Sequence, residues 1–229
     1  ISDYWYCKNG RLVTNVKDIY KGHSVLGTNI TIQGFYEGSI FFGTRFNDYG
    51  LVDKFMDEAN LEETLIEADK FVKETLGYIL HNNKSYYSTL LKVKNRTLAK
   101  KYNFKGMPYF RKIGQNYISQ YRMSSGESML ISLIDFINNL IVKNTVTEKL
   151  LFLIDEVELA LHPSAIDRLV EVLEDLIKKS QMDLIVYFST HSAELLHRIP
   201  SKNIFLLENF DGDIICTNPC YPNYAIRNL

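Results

Sequence analysis

Cysteine is scarce in this chain of 229 residues, occurring three times, at Cys7, Cys216 and Cys220. Three scattered thiols cannot build a disulfide framework, and Cys216 with Cys220 has no second pair nearby to complete a zinc site. A reducing, cytoplasmic setting is therefore expected. Long apolar runs are missing too, since none approaches the roughly 20 residues that a membrane-spanning helix needs. The opening ISDYWYCKNG has no charged start followed by an apolar stretch, so it does not read as a secretory leader. Charge of one sign is also lacking: 26 Lys and Arg stand against 27 Asp and Glu, a formal net charge of -1. Bulk charge thus names no partner. Internal repeats and low-complexity tracts are absent. The sequence begins at Ile1 instead of Met and stops at NYAIRNL without a terminating pattern, and both ends are expected to be cut from something longer.

What is present is an ordinary globular composition, 46% hydrophobic and 23% charged, on a chain long enough to bury roughly 70 to 75% of its unfolded surface. Residues 1–45 are rich in β-branched and aromatic residues broken by glycine, and read as several antiparallel strands. From Leu51 to about Leu80 apolar residues such as Phe55, Leu65, Val72 and Leu76 recur at helical spacing among acids, which predicts an acidic amphipathic helix or helix pair. Its acids are a wet face or a seat for a basic partner. Between Lys92 and Lys112 eight Lys or Arg residues occur without an acid, interleaved with Tyr102, Phe104, Tyr109 and Phe110. This basic arm closes a region spanning residues 46–112.

Residues 113–209 read as regular α/β. A helix opens at Ser124 or Ser125. KLLFLIDE then reads as a strand buried on both faces of a parallel sheet. HPSAIDRLVEVLEDLIKKS reads as a helix with Pro163 in its first turn and Lys178 and Lys179 at its end. MDLIVYFSTHS repeats the pattern of apolar strand and polar tip. Strand, helix, strand implies a parallel unit with its chemistry at the carboxyl ends of the strands. Residues 210–229 form a connector.

Three tips carry candidate chemistry. Asp155 and Glu156 end a buried strand, where charge is costly without a partner. Such acids hold magnesium and polarise an attacking water in nucleotide hydrolases, or simply start a turn. His191 in FSTHS can reach a terminal phosphate, or serve as a structural histidine. Its spacing to Glu194 and His197 is not that of a zinc helix. Ser124, Ser125, Gly126 and Glu127 place N–H groups and hydroxyls at a helix's positive end, a ready anion site; an ordinary capping box from Ser124 to Glu127 explains them equally.

Taken in order, MSSGE, the strand ending in DE, ELALHP and the strand ending in STH resemble the second half of an ABC-type ATPase head, over roughly Tyr121 to Leu207. By that resemblance the chain is a fragment of a P-loop NTPase fold with an antiparallel β-rich N-terminal part, a helical insertion and a parallel β/α core. Ser124, Ser125, Gly126 and Glu127 look like the signature motif, Asp155 and Glu156 like the Walker B acids, with Asp155 on metal and Glu156 catalytic. Glu158, Leu161 and His162 correspond to the D-loop, and His191 to the catalytic switch histidine. Gln33 is the available candidate for the Q-loop glutamine. ATP and Mg2+ are the implied cofactors, and a homodimer closed around ATP the implied assembly.

One part of the pattern is missing. No glycine-rich loop ending in Gly-Lys-Ser/Thr is present to wrap the phosphates, and Gly34 and Gly38 are followed by no lysine. That loop normally lies upstream of everything seen here. DEVELALHP with STHSAELLHRIP is similar to the soluble heads of the RecF and chromosome-maintenance kind. Within it, the nearest likeness is to the overcoming-lysogenization-defect ATPases, including relatives in retron-associated antiphage defence. TNPCYPNYAIRNL resembles the connector before a Toprim nuclease domain. The resemblance implies an ATP-driven switch over DNA cleavage in defence or repair, with a fused or separate nuclease, and in the retron case an RNA/DNA and a reverse transcriptase. Lys92, Lys94, Arg96, Lys100, Lys101, Lys105, Arg111 and Lys112 are candidate DNA contacts. The alternative is a dimerisation module that kept the fold without hydrolysing ATP. A transporter subunit stands third, because no membrane-coupling surface is found.

Overall fold

The computed structural model describes residues 5–8, 11–14, 30–35, 39–104, 106–143, 149–156, 158 and 161–228, with backbone alone for those up to residue 48 and for residue 149. Strands β1 (Trp5–Lys8) and β2 (Arg11–Thr14) form an antiparallel hairpin. Strand β3 (Ile30–Phe35) departs from the antiparallel expectation, running parallel to a strand more than a hundred residues on. Helix α1 (Ser39–Glu58) departs further, because SIFFGTRF reads as strand by composition yet lies in a 20-residue helix. Propensity is a weak prior that context overrides.

Beyond Glu58 the predicted acidic helix is split. A single turn, α2 (Leu61–Thr64), capped by Asn60, gives way to strand β4 (Leu65–Glu67) and then to helix α3 (Lys70–His81). The basic arm is likewise folded: β5 (Leu90–Val93), helix α4 (Arg96–Lys101) and β6 (Tyr109–Ile113). With β7 (Asn116–Ser119) these strands form a four-stranded antiparallel sheet in the order β4-β5-β6-β7. Phe55 of α1 anchors that sheet, touching Tyr102, Phe104 and Phe110 with ring centroids 4.8, 5.4 and 5.8 Å away. The aromatics of the arm are therefore core residues.

Helix α5 (Ser125–Ile137) follows, then a π-helical turn and strand β8 (Lys149–Ile154). Helix α6 (Pro163–Lys179) starts with His162 as cap and Pro163 in its first turn. It buries Ala165, Ile166, Leu169, Val170 and Leu173, the i, i+3, i+4 stripe its sequence predicts. Strand β9 (Asp183–Phe188) completes a parallel sheet in the order β3-β8-β9. Leu150, Phe152, Ile154 and Leu184 of this sheet share one core with α3, α5 and α6. Helices thus cover one face. The other carries Leu153, Ile185 and Tyr187, which are 40%, 48% and 48% exposed, so the expectation of burial on both faces is met on one among the described residues.

Helix α7 (Ala193–Arg198), the hairpin of β10 (Leu206–Phe210) and β11 (Asp213–Thr217), and helix α8 (Pro222–Arg227) end the fold. Leu196, Ile204, Cys220 and Ala225 pack as one small cluster. The segment expected as a connector is therefore docked on α7.

Candidate functional site

The carboxyl ends of β8 and β9 are level, with Ile154 opposite Phe188. One residue just beyond β9 joins them. Ser189 donates its N–H to the Ile154 carbonyl at 2.9 Å and its hydroxyl to Asp155 Oδ1 at 2.6 Å. The same hydroxyl oxygen accepts the Glu156 N–H at 2.8 Å. The sequence alone does not point to Ser189; its only signal there is its place in the polar tip FSTHS. The adjacent loops are tied as well, since the His191 N–H donates to Glu158 Oε1 at 2.5 Å. Glu158 Oε2 is buried without a hydrogen-bond partner among the described residues.

Glu156 has a backbone φ of +46°, a left-handed conformation that costs a non-glycine residue roughly 1–2 kcal/mol. Strain of that kind persists where the surroundings over-determine it, and it gathers at functional sites. The Glu156 carboxylate takes no hydrogen bond, and no Lys, Arg or His pairs with Asp155, Glu156 or Glu158 among the described residues. The cationic partner that the sequence demanded is thus not a side chain described here.

Such a tip suits Mg2+, which commonly takes one or two protein carboxylates and completes its shell with water and phosphate oxygens. No three His, Cys, Asp or Glu side chains converge as a metal cluster among the described residues, which offer that small share. Asp155 keeps one oxygen clear of Ser189 for the task. His191 is exposed and its ring makes no contact that competes with a ligand among the described residues.

Of the D-loop candidates, Glu158 holds the His191 backbone, and Leu161 packs on the main core. His162 caps α6, its Nδ1 lying 3.4 Å from the Ser164 N–H. Gln33 lies on β3, whose end is level with β8 because Phe35 pairs with Ile154; its side chain falls outside the described residues.

The second candidate element is the start of α5. Ser124 caps it in a reciprocal box: the Glu127 N–H donates to Ser124 Oγ at 3.2 Å, while Glu127 Oε2 accepts the Ser124 N–H at 3.0 Å and hydroxyl at 2.8 Å. The capping reading of the sequence therefore holds. It does not exhaust the turn, because helix geometry leaves the N–H groups of Ser125 and Gly126 without intrahelical acceptors; Ser125 is exposed, whereas Gly126 is buried.

Buried groups brace the turn from behind. Tyr87 donates its hydroxyl to Glu127 Oε1 at 2.6 Å. Burial alone would raise the Glu127 carboxyl, but hydrogen bonds from Tyr87 and Ser124 and the nearby Arg111 charge outweigh it and hold the group below its ordinary range. Burial and the same carboxylate push the Tyr87 phenol far up, so it stays a donor. Just upstream, Arg122 clasps Asp53 of α1 with both guanidinium arms, at 3.1 and 2.7 Å. Gln120, also buried, accepts the Tyr109 N–H at 2.9 Å.

The basic residues separate into two groups. Lys92 is hydrogen-bonded to Asp69, which Lys143 also meets at 3.0 Å. Lys112 lies 3.8 Å from Glu62, and Arg111 stacks over Tyr86 and Tyr87. Lys94, Arg96, Lys100 and Lys101 remain exposed on and beside α4, and Lys105 falls outside the described residues.

The chain belongs to the AAA ATPase domain family, whose model matches residues 39–196. That span contains the α5 turn and both strand tips, and the mixed α/β architecture is that of a P-loop ATPase. No curated protein matches. Similar solved structures include one from work on ATP-driven dimerization and DNA-stimulated activation of SMC ATPases, 14% identical with a TM-score of 0.43, covering 69% of this chain and 86% of that one. Another is the Smc head domain with an extended coiled coil bound to the C-terminal domain of ScpA, from Pyrococcus furiosus, 14% identical with a TM-score of 0.38, covering 65% of this chain and 34% of that one. No helix among the described residues is long and apolar enough to cross a membrane.

Proposed function

We propose that this chain is half of an ATP-hydrolysing head that closes as a homodimer around ATP and Mg2+, each protomer lending its α5 turn to the acids of the other. The observation that carries this reading is the strand-tip staple: Ser189 fixes Asp155 and the strained Glu156 backbone, and the Glu156 carboxylate is left unpaired among the described residues. Bound magnesium would supply Lewis-acid polarisation of the phosphate oxygens. Asp155 holds its side of that ion, Glu156 accepts a proton from the attacking water, and His191 donates toward the terminal phosphate. Ser125 offers its N–H and hydroxyl to phosphate oxygens arriving from the partner, with the buried Gly126 N–H behind it. The reading requires a phosphate-wrapping loop, which these 229 residues do not contain, in the full-length protein.

In its finer form the head is of the overcoming-lysogenization-defect kind, and its closure controls a nuclease, fused or separate, in antiphage defence or DNA repair. Lys94, Arg96, Lys100 and Lys101 are the DNA contacts retained from the wider basic set, since Lys92, Arg111 and Lys112 are engaged within the fold. The test compares ATP turnover and dimerisation of full-length wild type with Glu156→Gln. Removing a general base costs on the order of 100-fold or more in turnover, with an ATP-stabilised dimer remaining. Wild-type turnover in the variant would remove Glu156 from the mechanism. Background turnover in both, without a nucleotide-dependent dimer, would leave a dimerisation module.

A further inference from the structure

We infer that Tyr87 is a positioning residue for the phosphate-facing turn of α5, drawing the Glu127 carboxylate inward so that the turn presents donors instead of a negative charge. The inference rests on the proposed role of that turn in a partner's ATP site.

Glu127 poses a problem for anion binding that Tyr87 solves. A carboxylate in the first turn of a helix stabilises the helix, yet it competes with phosphate for the same N–H groups and repels it. Here the carboxylate is anchored at both oxygens. Oε2 is occupied by Ser124, and Oε1 accepts the Tyr87 hydroxyl from the interior. Tyr87 itself is 0% exposed, so the anchor cannot swing outward with the turn.

The anchor is in turn held from two directions. His81 Nε2, at the end of α3, lies 3.2 Å from the Tyr87 hydroxyl oxygen. The phenol proton is committed to Glu127, so this contact is a hydrogen bond only with Nε2 as donor, giving a directed chain from His81 through Tyr87 to Glu127. Arg111 of β6 lies over the Tyr87 and Tyr86 rings, 4.9 and 4.6 Å from their centroids, and Tyr86 stacks on His81 at 3.6 Å. Through these contacts the antiparallel sheet sets where the Glu127 charge sits. Tyr87 precedes Glu127 by 40 residues, which is why neither segment reveals the pair by itself.

The experiment measures, in the full-length protein, the ATP concentration for half-maximal dimerisation, the affinity of the dilute monomer for a fluorescent ATP analogue, and the thermal midpoint. Tyr87→Phe keeps the ring and removes only the hydroxyl, freeing Glu127 Oε1 and His81 Nε2. It should raise the half-maximal concentration at least 5-fold while monomer affinity stays within 2-fold, because the turn serves the partner's nucleotide. Adding Glu127→Gln to Tyr87→Phe removes the released charge and should restore dimerisation toward wild type. A merely structural role predicts the opposite, further loss in the double variant with a falling thermal midpoint, and that outcome, or wild-type dimerisation in Tyr87→Phe, overturns the inference. His81→Ala, at an exposed position, gives the same sign at smaller size, about 2-fold, and serves if Tyr87→Phe does not fold; no change there overturns the inference equally. Ser125→Arg is the control for the underlying reading. If it blocks ATP-driven dimerisation and Tyr87→Phe does not weaken it, the inference alone fails; if it dimerises normally, the proposed function fails with it.

Discussion

The two ends of the candidate site are built to opposite standards. At the α5 turn, Ser124 and Glu127 satisfy each other, Tyr87 braces the carboxylate from the interior with the Arg111 charge nearby, and Arg122 clasps Asp53 alongside. At the strand tips a single hydroxyl, that of Ser189, joins Asp155 to Glu156, and Glu156 sits at a positive φ with its carboxylate unpaired among the described residues. A turn that presents donors to an anion must be held rigid in advance, since a loose one would lose entropy on binding. A group that must meet a metal-bound nucleotide and move a proton has to be left unsatisfied until the ligand arrives. Stability is concentrated at one end and stored strain at the other.

Substitutions should separate the two ends by how far stability and turnover move apart. The largest change belongs to Glu127→Ala, which removes the carboxylate half of the capping box and strands the Tyr87 hydroxyl in the interior; a loss of about 3 kcal/mol is expected, read as a lowered urea midpoint at unchanged slope. Ser189→Ala should cost less, roughly 1–2 kcal/mol, yet lower ATP turnover at least 10-fold because both acids lose their staple. Glu156→Gly should go the other way: relief of the left-handed strain raises stability by roughly 0.5–1 kcal/mol while turnover is abolished. A stability loss in that variant would show that the positive φ is not strain.

The smallest effect is in pH. The folded Glu127 carboxyl is held below its unfolded value, so its contribution is complete above the unfolded value, about pH 4.3, and disappears as pH falls through the lower folded value. The stability difference between wild type and Glu127→Gln should therefore be constant from pH 7 to about 5 and shrink below about 4. A difference that grows toward acid pH would place the carboxyl above its ordinary range.

Residues 149–188 were legible because each element there is specified locally. His162, Pro163 and Lys179 mark the bounds of α6, and the apolar runs ending at Ile154 and Phe188 declare β8 and β9. Elsewhere the deciding partners are remote. Leu65–Glu67 continues a helical pattern and becomes strand because Leu91–Val93 lies beside it. Ser39–Phe46 has strand composition and forms helix. The basic run looked free because the acids that engage Lys92 and Lys112, Asp69 and Glu62, lie in the neighbouring acidic segment. The acids and the turn could be read as types of residue in order. Ser189 and Tyr87, which set their geometry, could not, since one acts only when two strand ends are level and the other across 40 residues.

The central claim is that one protomer's turn completes the other's acids, and mixing two dead proteins tests it. Ser125→Arg and Glu156→Gln protomers, co-expressed at equal amounts, should each be inactive alone and together recover about half of wild-type turnover per mixed dimer, because each mixed dimer carries one intact site of two. Recovery near that value establishes a site shared across the dimer. No recovery, with mixed dimers demonstrably formed, would mean that the turn and the acids of a single chain act together, and the account would be wrong.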